Sequence, residues 1–194
     1  DFKRILGKNY LYPLRSMLRA TRGHVLLEVD FKSAELAAMA WCSQDPKFIE
    51  DVTRNLLPED HPDYIDLHSQ TAVRAFKLNC PMTKKGLQSI NMEHLRTGAK
   101  GVNFGVPYQV GAEAVARKCK EEGTEVAVSE CQALIDGYFE LYPLTFPYLE
   151  DCKQSVTEPG WMCNSFLRFR RFAVTDDKSK IAEQERQACN FPIQ

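Results

Sequence analysis

The segment that most restricts the fold is residues 96–108, in which four side chains recur at every fourth position. On an α-helix, Arg96, Lys100, Phe104 and Tyr108 would each be turned by about 40° from the one before. The segment therefore predicts a helix that carries two cations followed by two aromatic rings. Cations near a helix N-terminus suit a polyphosphate, so this order fits a nucleoside triphosphate lying along the helix. The spacing alone equally fits a solvated cationic face next to aromatic core residues.

The same segment differs from an ordinary helix in its glycines and its charges. Gly98, Gly101 and Gly105 lower helix propensity, and they are understandable where another group approaches the backbone closely. Glu93 is the nearby carboxylate before Arg96, so we expect the cations to lack partners one helical turn away. Both features favour a surface that receives a ligand.

A second informative segment is an apolar run that ends at an acidic residue. Residues 25–31 predict a buried strand, and residues 33–41 predict a helix with Ser33 as a possible N-cap. A carboxylate at a strand end, here Asp30, is a candidate metal ligand. A lone Asp is more often a helix cap or a surface charge, so this segment by itself leaves the role of Asp30 open.

Together the two segments resemble two motifs of the family A DNA polymerases, the DNA polymerase I type. Residues 30–36 resemble motif A, and the spacing within residues 96–108 resembles motif B, the fingers helix that grips the incoming nucleotide. Residues 66–69 resemble an Asp-Ile-His segment between these motifs, and residues 185–194 resemble the helix that precedes the last catalytic motif. The matches occur in the family's order, and the resemblance extends from about residue 10 to the end.

The resemblance implies an α+β, mostly α-helical fold: a fingers subdomain with an incomplete palm sheet of a right-hand-shaped polymerase. Residues 1–40 would be a palm piece with the motif A strand, residues 41–159 the fingers with the motif B helix, and residues 160–194 a hairpin and helix that return to the palm. The family's second catalytic aspartate has no counterpart before Gln194. We therefore expect a fragment of a longer polymerase that is inactive alone, and Lys32 in a diverged motif A suggests a viral or phage-like lineage.

The resemblance also implies roles for residues near the reacting groups. Asp30 would be catalytic and would ligate two Mg²⁺ ions, one of which the carbonyl group of Phe31 would contact. Glu35 would exclude a ribose 2′-hydroxyl group and hydrogen-bond Tyr108, whose ring would lie at the templating base. Phe104 would pack against the sugar of the incoming nucleotide.

Other implied residues would bind the phosphates and the DNA. Lys100, Arg96 and His68 would hold the triphosphate, and Lys100 is also predicted to be catalytic. The predicted primer–template contacts are Gln109, Arg186, Asn190 and Gln194. Relatives commonly carry glycine where Gln109 stands, which lets the template turn sharply. Pro107 should delete a hydrogen bond and kink the helix.

The implied activity is template-directed addition of dNTPs to a primer 3′ end by a two-metal mechanism. The alternatives are a non-catalytic nucleotide- or nucleic-acid-binding module derived from such a polymerase, and a helical interaction domain. The formal net charge of −1 argues against a simple, basic DNA-binding domain. Residues 168–172 are nonetheless basic with interleaved aromatics, which fits either contact with a single strand or a solvated hairpin face.

The remaining composition points to a reducing compartment. The seven cysteines form no C-x-x-C pair and no zinc-ligand spacing, and the sequence shows no signal peptide and no apolar run long enough to cross a membrane. We expect a cytoplasmic protein (the host cytoplasm if it is viral) that does not bind membranes. A monomer is the expected oligomeric state.

Overall fold

The computed structural model of the chain describes residues 17–194. Ser33–Gln194 form one compact unit, and the described residues before Ser33 belong to a separate unit. The described part is mostly helical, as predicted. Its elements in chain order are α1 (Ala34–Ser43), α2 (Pro46–Leu56), α3 (Leu67–Ala75), α4 (Lys84–Ser89), α5 (Glu93–Gly105), a 3₁₀ turn (Val106–Tyr108), α6 (Ala112–Glu121), α7 (Val128–Leu141), α8 (Thr145–Thr157), β1 (Trp161–Cys163), β2 (Phe169–Arg171) and α9 (Lys178–Asn190).

Local sequence explains where several helices begin. The side chain of Asp45 accepts a hydrogen bond from the backbone N–H of Phe48, and Pro46 occupies the start of α2, where its missing N–H costs little. Asp66, Thr83 and Asp177 cap α3, α4 and α9 in the same way. These side chains satisfy backbone donors that a helix cannot pair internally.

The helix predicted over residues 96–108 is not one continuous α-helix in the structure. The chain leaves α4 and starts α5 at Glu93, and Val106–Tyr108 continue α5 as a tighter 3₁₀ turn. Pro107 lies in this turn. The α-helix ends at Gly105, before Pro107, which agrees with the predicted loss of a hydrogen bond, because proline cannot donate one.

Helix α5 lies at the centre of the helical core, against α3, α6 and α7. The core around it includes the buried side chains of Leu95, Ala99, Val102 and Leu134. Burial of these apolar side chains holds α5 in place, and it leaves the face that carries Arg96 and Lys100 nearer the surface.

The glycines of α5 make room for the protein's own side chains. A Cβ atom on Gly98 would lie 2.9 Å from Cδ1 of Leu134, and one on Gly101 would lie 2.9 Å from Cγ1 of Val115. A Cβ atom on Gly105 would lie 3.0 Å from Cβ of Val110. The close approach that the sequence predicted is present, but neighbouring side chains make it.

The prediction of a buried strand at residues 25–31 is wrong for this structure. These residues carry no strand, and the side chains of Val25 and Leu27 are 88% and 85% exposed. The two strands of the described region, β1 and β2, pair with each other, so residues 25–31 have no ladder partner there. An apolar run forms a buried strand only where a neighbouring strand takes up its backbone hydrogen bonds.

The predicted hairpin near residue 160 is present. Strands β1 and β2 are antiparallel, with Trp161 opposite Arg171, Met162 opposite Arg170 and Cys163 opposite Phe169. The division into palm, fingers and returning hairpin stays a prediction, and the first 16 residues of the predicted palm piece lie outside the described residues. Across residues 17–194, each helix is too short or too polar for a membrane crossing.

Candidate nucleotide site on helix α5

Helix α5 and the 3₁₀ turn that follows it carry all four side chains of the recurring pattern. The structure leaves Lys100 exposed and half-buries Arg96, Phe104 and Tyr108. The pattern is therefore neither a fully solvated face nor a core face. It is a boundary face, which is where a ligand can reach both charge and aromatic surface.

Arg96 has a carboxylate partner that the sequence prediction missed. Its Nε atom donates to Oδ2 of Asp66 at 2.7 Å, and its Nη2 atom donates to Oδ1 at 3.0 Å. The expectation concerned partners one helical turn away, whereas Asp66 is brought to Arg96 by helix packing from 30 residues away. The Nη1 atom takes no part in this pair and can donate to another acceptor.

Asp66 is held as a carboxylate by several donors. Besides Arg96, the backbone N–H of Ser69 donates to Oδ2 at 3.0 Å and the Ser69 hydroxyl group donates at 2.5 Å. Burial by itself would raise the pKa of Asp66, but the hydrogen bonds from Arg96 and Ser69 outweigh it and hold that pKa below its usual range. One side chain thus caps α3 and fixes the guanidinium group of α5.

His68 projects from the first turn of α3 towards α5. Nδ2 of Asn103 donates to Nδ1 of His68 at 3.1 Å, and the His68 ring lies 5.5 Å from the Phe104 ring, centroid to centroid. Burial lowers the pKa of His68 to about 4; the Asp66 carboxylate opposes this, and the charges of Arg96 and Lys100 add to it. His68 is therefore neutral at pH 7, and since Nδ1 accepts, Nε2 carries the proton.

Among the described residues, Lys100 is a cation of the site that has no carboxylate partner. It forms no ion pair with any residue of the described range, in contrast to Arg96. It lies one helical turn from both Arg96 and Phe104. A flexible ammonium group without a protein partner can reach an anion at low cost, because no existing contact has to break.

A cleft of about 490 Å³ opens beside Arg96. Lys84 and Lys85 line it together with Arg96, and Asp66 and Asp60 line its acidic part. The sequence prediction assigned no role to the two lysines, because they precede the recurring pattern. Glu59 also lines the cleft, which gives solvent access to the Arg96 side of the site.

Tyr108 meets the residues that the resemblance placed near it. Its hydroxyl group donates to Oε1 of Glu35 at 3.4 Å, so the predicted contact is present, though long. Burial and the charge of Glu35 raise the pKa of Tyr108, while hydrogen bonding by Gln194 and Asn190 opposes the rise. Oδ1 of Asn190 is buried without a hydrogen-bond partner in the described region. Residues of α1 and of the C-terminal end of α9 thus lie close together at Tyr108, in the 3₁₀ turn that follows α5.

Gln109 occupies a position whose backbone favours glycine. Its φ of 55° and ψ of 41° lie in the left-handed region, and Nε2 donates to Sγ of Cys189 at 3.0 Å. The chain therefore adopts a left-handed turn here with a side chain larger than that of glycine. Arg186, the remaining predicted DNA contact, is exposed on α9.

Asp30 and Phe31 are both exposed and belong to the unit before Ser33. Within residues 17–194 there is no group of three or more His, Cys, Asp or Glu side chains that could hold a metal ion. The described residues therefore do not by themselves fit a two-metal centre, for which a single carboxylate is insufficient.

The fold is that of part of a polymerase domain. The chain is similar to the structure titled "POL domain of Pol1 from M. smegmatis complex with DNA primer-template and dNTP", with a TM-score of 0.61 and 23% sequence identity. The similarity covers 84% of this chain and 25% of that one. A family model for "DNA polymerase family A" matches residues 6–194. The chain belongs to DNA polymerase family A.

Similar full-length proteins come from bacteria and from phages. The chain is 28% identical over 183 residues to DNA polymerase I of Caldicellulosiruptor bescii, covering 93% of this chain and 19% of that protein. It is 26% identical over 189 residues to the DNA polymerase of Bacillus phage SP01, covering 95% and 19%, and 28% identical over 196 residues to that of Escherichia phage T5, covering 93% and 22%. The chain thus spans about a fifth of the length of these relatives.

Proposed function

We propose that this chain is the part of a template-directed DNA polymerase that binds the incoming dNTP and positions it for transfer to a primer 3′ end. The observation that carries the proposal is Lys100. It is exposed and free of ion pairs in the described region, and it lies on α5 between Arg96, which Asp66 holds in place, and the Phe104 ring. A cation left unpaired at the boundary between charged and aromatic surface is suited to a triphosphate.

Three donors of different kind would hold the phosphates. Arg96 keeps Nη1 available while Asp66 fixes its orientation, and Lys100 supplies a mobile point charge. Neutral His68 would donate from Nε2, because Asn103 occupies Nδ1. In phosphoryl transfer, such positioning and charge stabilisation supply most of the rate, so Lys100 is also proposed as a catalytic residue.

The aromatic end of the pattern would receive the nucleoside and the template. Phe104 would pack against the sugar, and Glu35, held near Tyr108, would disfavour a ribose 2′-hydroxyl group. Primer–template contacts are proposed for the residues at and beyond the 3₁₀ turn: Gln109, Arg186, Asn190 and Gln194. The M. smegmatis structure, whose title states a complex with primer–template and dNTP, supports these partners.

The metal requirement is proposed from family membership. Mg²⁺ ions supply charge neutralisation on phosphate oxygens when bound. Asp30 and the carbonyl group of Phe31 are the residues of this chain proposed to contact them. The ligand set would need further carboxylates, since the described region does not assemble one.

The proposal is tested by dNTP binding to the 194-residue chain, measured by isothermal titration calorimetry with Lys100→Ala. Loss of a charge-assisted contact should weaken triphosphate binding by about 10-fold or more. The matched control is Lys120→Ala, an exposed lysine on α6 outside the site, which should bind like the wild type. Equal affinities of the wild type and Lys100→Ala would contradict the proposal.

A further inference from the structure

The hairpin β1–β2 shows a surface that the nucleotide site does not use. Because successive side chains of a strand point to opposite faces, Trp161, Phe169 and Arg171 share one face, which we name the hairpin face. Trp161 and Phe169 are 44% and 66% exposed, and Arg171 is exposed. Their neighbours Met162 and Arg170 lie on the opposite face.

The opposite face anchors the hairpin to the helical unit. Met162 packs against the hydrophobic core, and Nη2 of Arg170 donates to the side-chain oxygen of Gln187 on α9. The side chain of Gln184 exchanges two hydrogen bonds with the backbone of Ala173 just beyond β2. The hairpin face is thus presented by a fixed element.

The bend between the strands is also ordered by hydrogen bonds. Oδ1 of the buried Asn164 accepts from the backbone N–H groups of Phe166 and Arg168, both at 3.0 Å. The backbone N–H of Asn164 donates to the carbonyl oxygen of Arg168 at 3.0 Å. A bend held this firmly nevertheless leaves Phe166 85% exposed at its tip. Apolar rings exposed on a backbone that is fixed by hydrogen bonds indicate a surface suited to a ligand.

The positive charge of the hairpin segment favours an anionic ligand. Residues 159–175 contain three arginines and no Asp or Glu, although the chain as a whole has a net charge of −1. Arg168 and Arg171 are exposed and form no ion pair within the described range. The guanidinium group of Arg168 lies over the Phe191 ring, 5.3 Å from its centroid, which leaves Arg171 as the cation on the hairpin face. The hairpin face therefore combines this cation with two flat rings, the Trp161 and Phe169 centroids being 5.5 Å apart.

We propose that the hairpin face binds single-stranded DNA, with bases stacked on Trp161 and Phe169 and a phosphate held by Arg171. A single strand offers both unstacked bases and phosphates, whereas a duplex offers mainly its phosphates to such a surface. The proposal extends the polymerase assignment, since unpaired template is a natural occupant, but it concerns a different surface from the dNTP site.

The test uses fluorescence anisotropy of a fluorescein-labelled oligothymidylate of about 12 nucleotides with the full chain. Phe169→Ala should weaken binding by at least about fivefold through lost stacking. Arg171→Gln should weaken it and reduce the slope of log K against log salt by about 0.7 for each lost phosphate contact. Two matched controls should bind the oligonucleotide like the wild type. Phe146→Ala removes an exposed aromatic ring that, like Phe169, has one ring partner, and Arg117→Gln removes an exposed arginine outside the hairpin.

A second readout reports stacking directly. Trp41→Phe leaves Trp161 as the single tryptophan, and its emission should be quenched by oligothymidylate and not by a blunt duplex. Unchanged tryptophan emission on addition of oligothymidylate would overturn the proposal. Equal DNA affinity of the wild type, Phe169→Ala and Arg171→Gln would also overturn it. So would self-association of the chain through the hairpin face, if substitutions there left DNA binding unchanged. These outcomes are separable from dNTP binding by Lys100→Ala, which is measured without DNA.

Discussion

Arg96 on α5 grips Asp66 at the start of α3 through two hydrogen bonds of 2.7 and 3.0 Å. The same carboxylate caps α3 through the backbone N–H of Ser69. One acidic side chain therefore caps the start of α3 and orients Arg96, the residue on α5 that is proposed to bind phosphate. This ion pair explains how the guanidinium group of a half-buried arginine keeps one orientation in the absence of a ligand.

Replacing Asp66 should separate its two tasks. Asp66→Asn keeps a capping oxygen but loses the charged pair, so the free energy of unfolding should fall by about 1–2 kcal/mol. Asp66→Ala also loses the cap and leaves Arg96 partly buried without a partner, so the loss should reach about 2–4 kcal/mol. Urea denaturation measures both. The exposed Asp63→Ala in the same loop is the control, with an expected change within about 0.5 kcal/mol.

His68 should make the stability of the chain depend on pH. Its pKa is about 4 in the folded state against a usual 6.5, so the unfolded state binds more protons between these values. This contribution is complete above pH 6.5 and is lost as the pH falls towards 4. The loss of this contribution should lower the free energy of unfolding by about 2 kcal/mol at pH 5 relative to pH 7.5.

Urea denaturation of the wild type and His68→Gln at the two pH values isolates this contribution. The wild type should lose more stability than the variant on acidification. If both proteins lose the same free energy between pH 7.5 and pH 5, His68 does not have the neutral, buried state described here.

Gly98 is expected to resist substitution despite its position inside a helix. Alanine would gain about 1 kcal/mol of helix propensity, but its Cβ atom would meet Leu134 at 2.9 Å and Val126 at 3.2 Å. Overpacking should outweigh the gain, and we expect a net loss of about 1–2 kcal/mol by urea denaturation. Thr97→Ala on the same helix serves as the comparison. A stabilised Gly98→Ala variant would show that the site has room.

Gln109 stores a small amount of backbone strain at its φ of 55°. Gln109→Val should lower the Tm by about 2–6 °C, because a β-branched side chain is poorly tolerated in the left-handed region. The free energy of unfolding of Gln109→Gly should remain within about 1 kcal/mol of the wild-type value. Relief of backbone strain offsets the lost contact to Cys189 and the greater entropy of the unfolded chain. Thermal denaturation followed by circular dichroism measures both variants. A valine variant as stable as the wild type would contradict this account.

The start of α2 and the recurring pattern of α5 could be predicted because their causes are local, whereas Ser33, the predicted N-cap of α1, makes no side-chain capping hydrogen bond. Asp45-Pro46 specifies the start of α2 by capping, and Pro107 ends the α-helical hydrogen bonding of α5 wherever the segment is placed. The contact between Glu35 and Tyr108 followed from the resemblance to a known family, which carries information about packing that spacing does not contain.

The sequence by itself determined the mostly helical composition, the cation-to-aromatic order of α5 and the position of the hairpin, because capping, proline geometry and periodicity act within a few residues. The tertiary structure alone decided that, among the described residues, Arg96 has a carboxylate partner and Lys100 has none. It also decided that Asn103 fixes the His68 tautomer and that Leu134 and Val115 fill the space over the glycines. Within residues 17–194, it also left residues 25–31 without a strand partner. Ion pairs, tautomers and strand pairing depend on groups distant in sequence, which only the packing of the whole unit brings together.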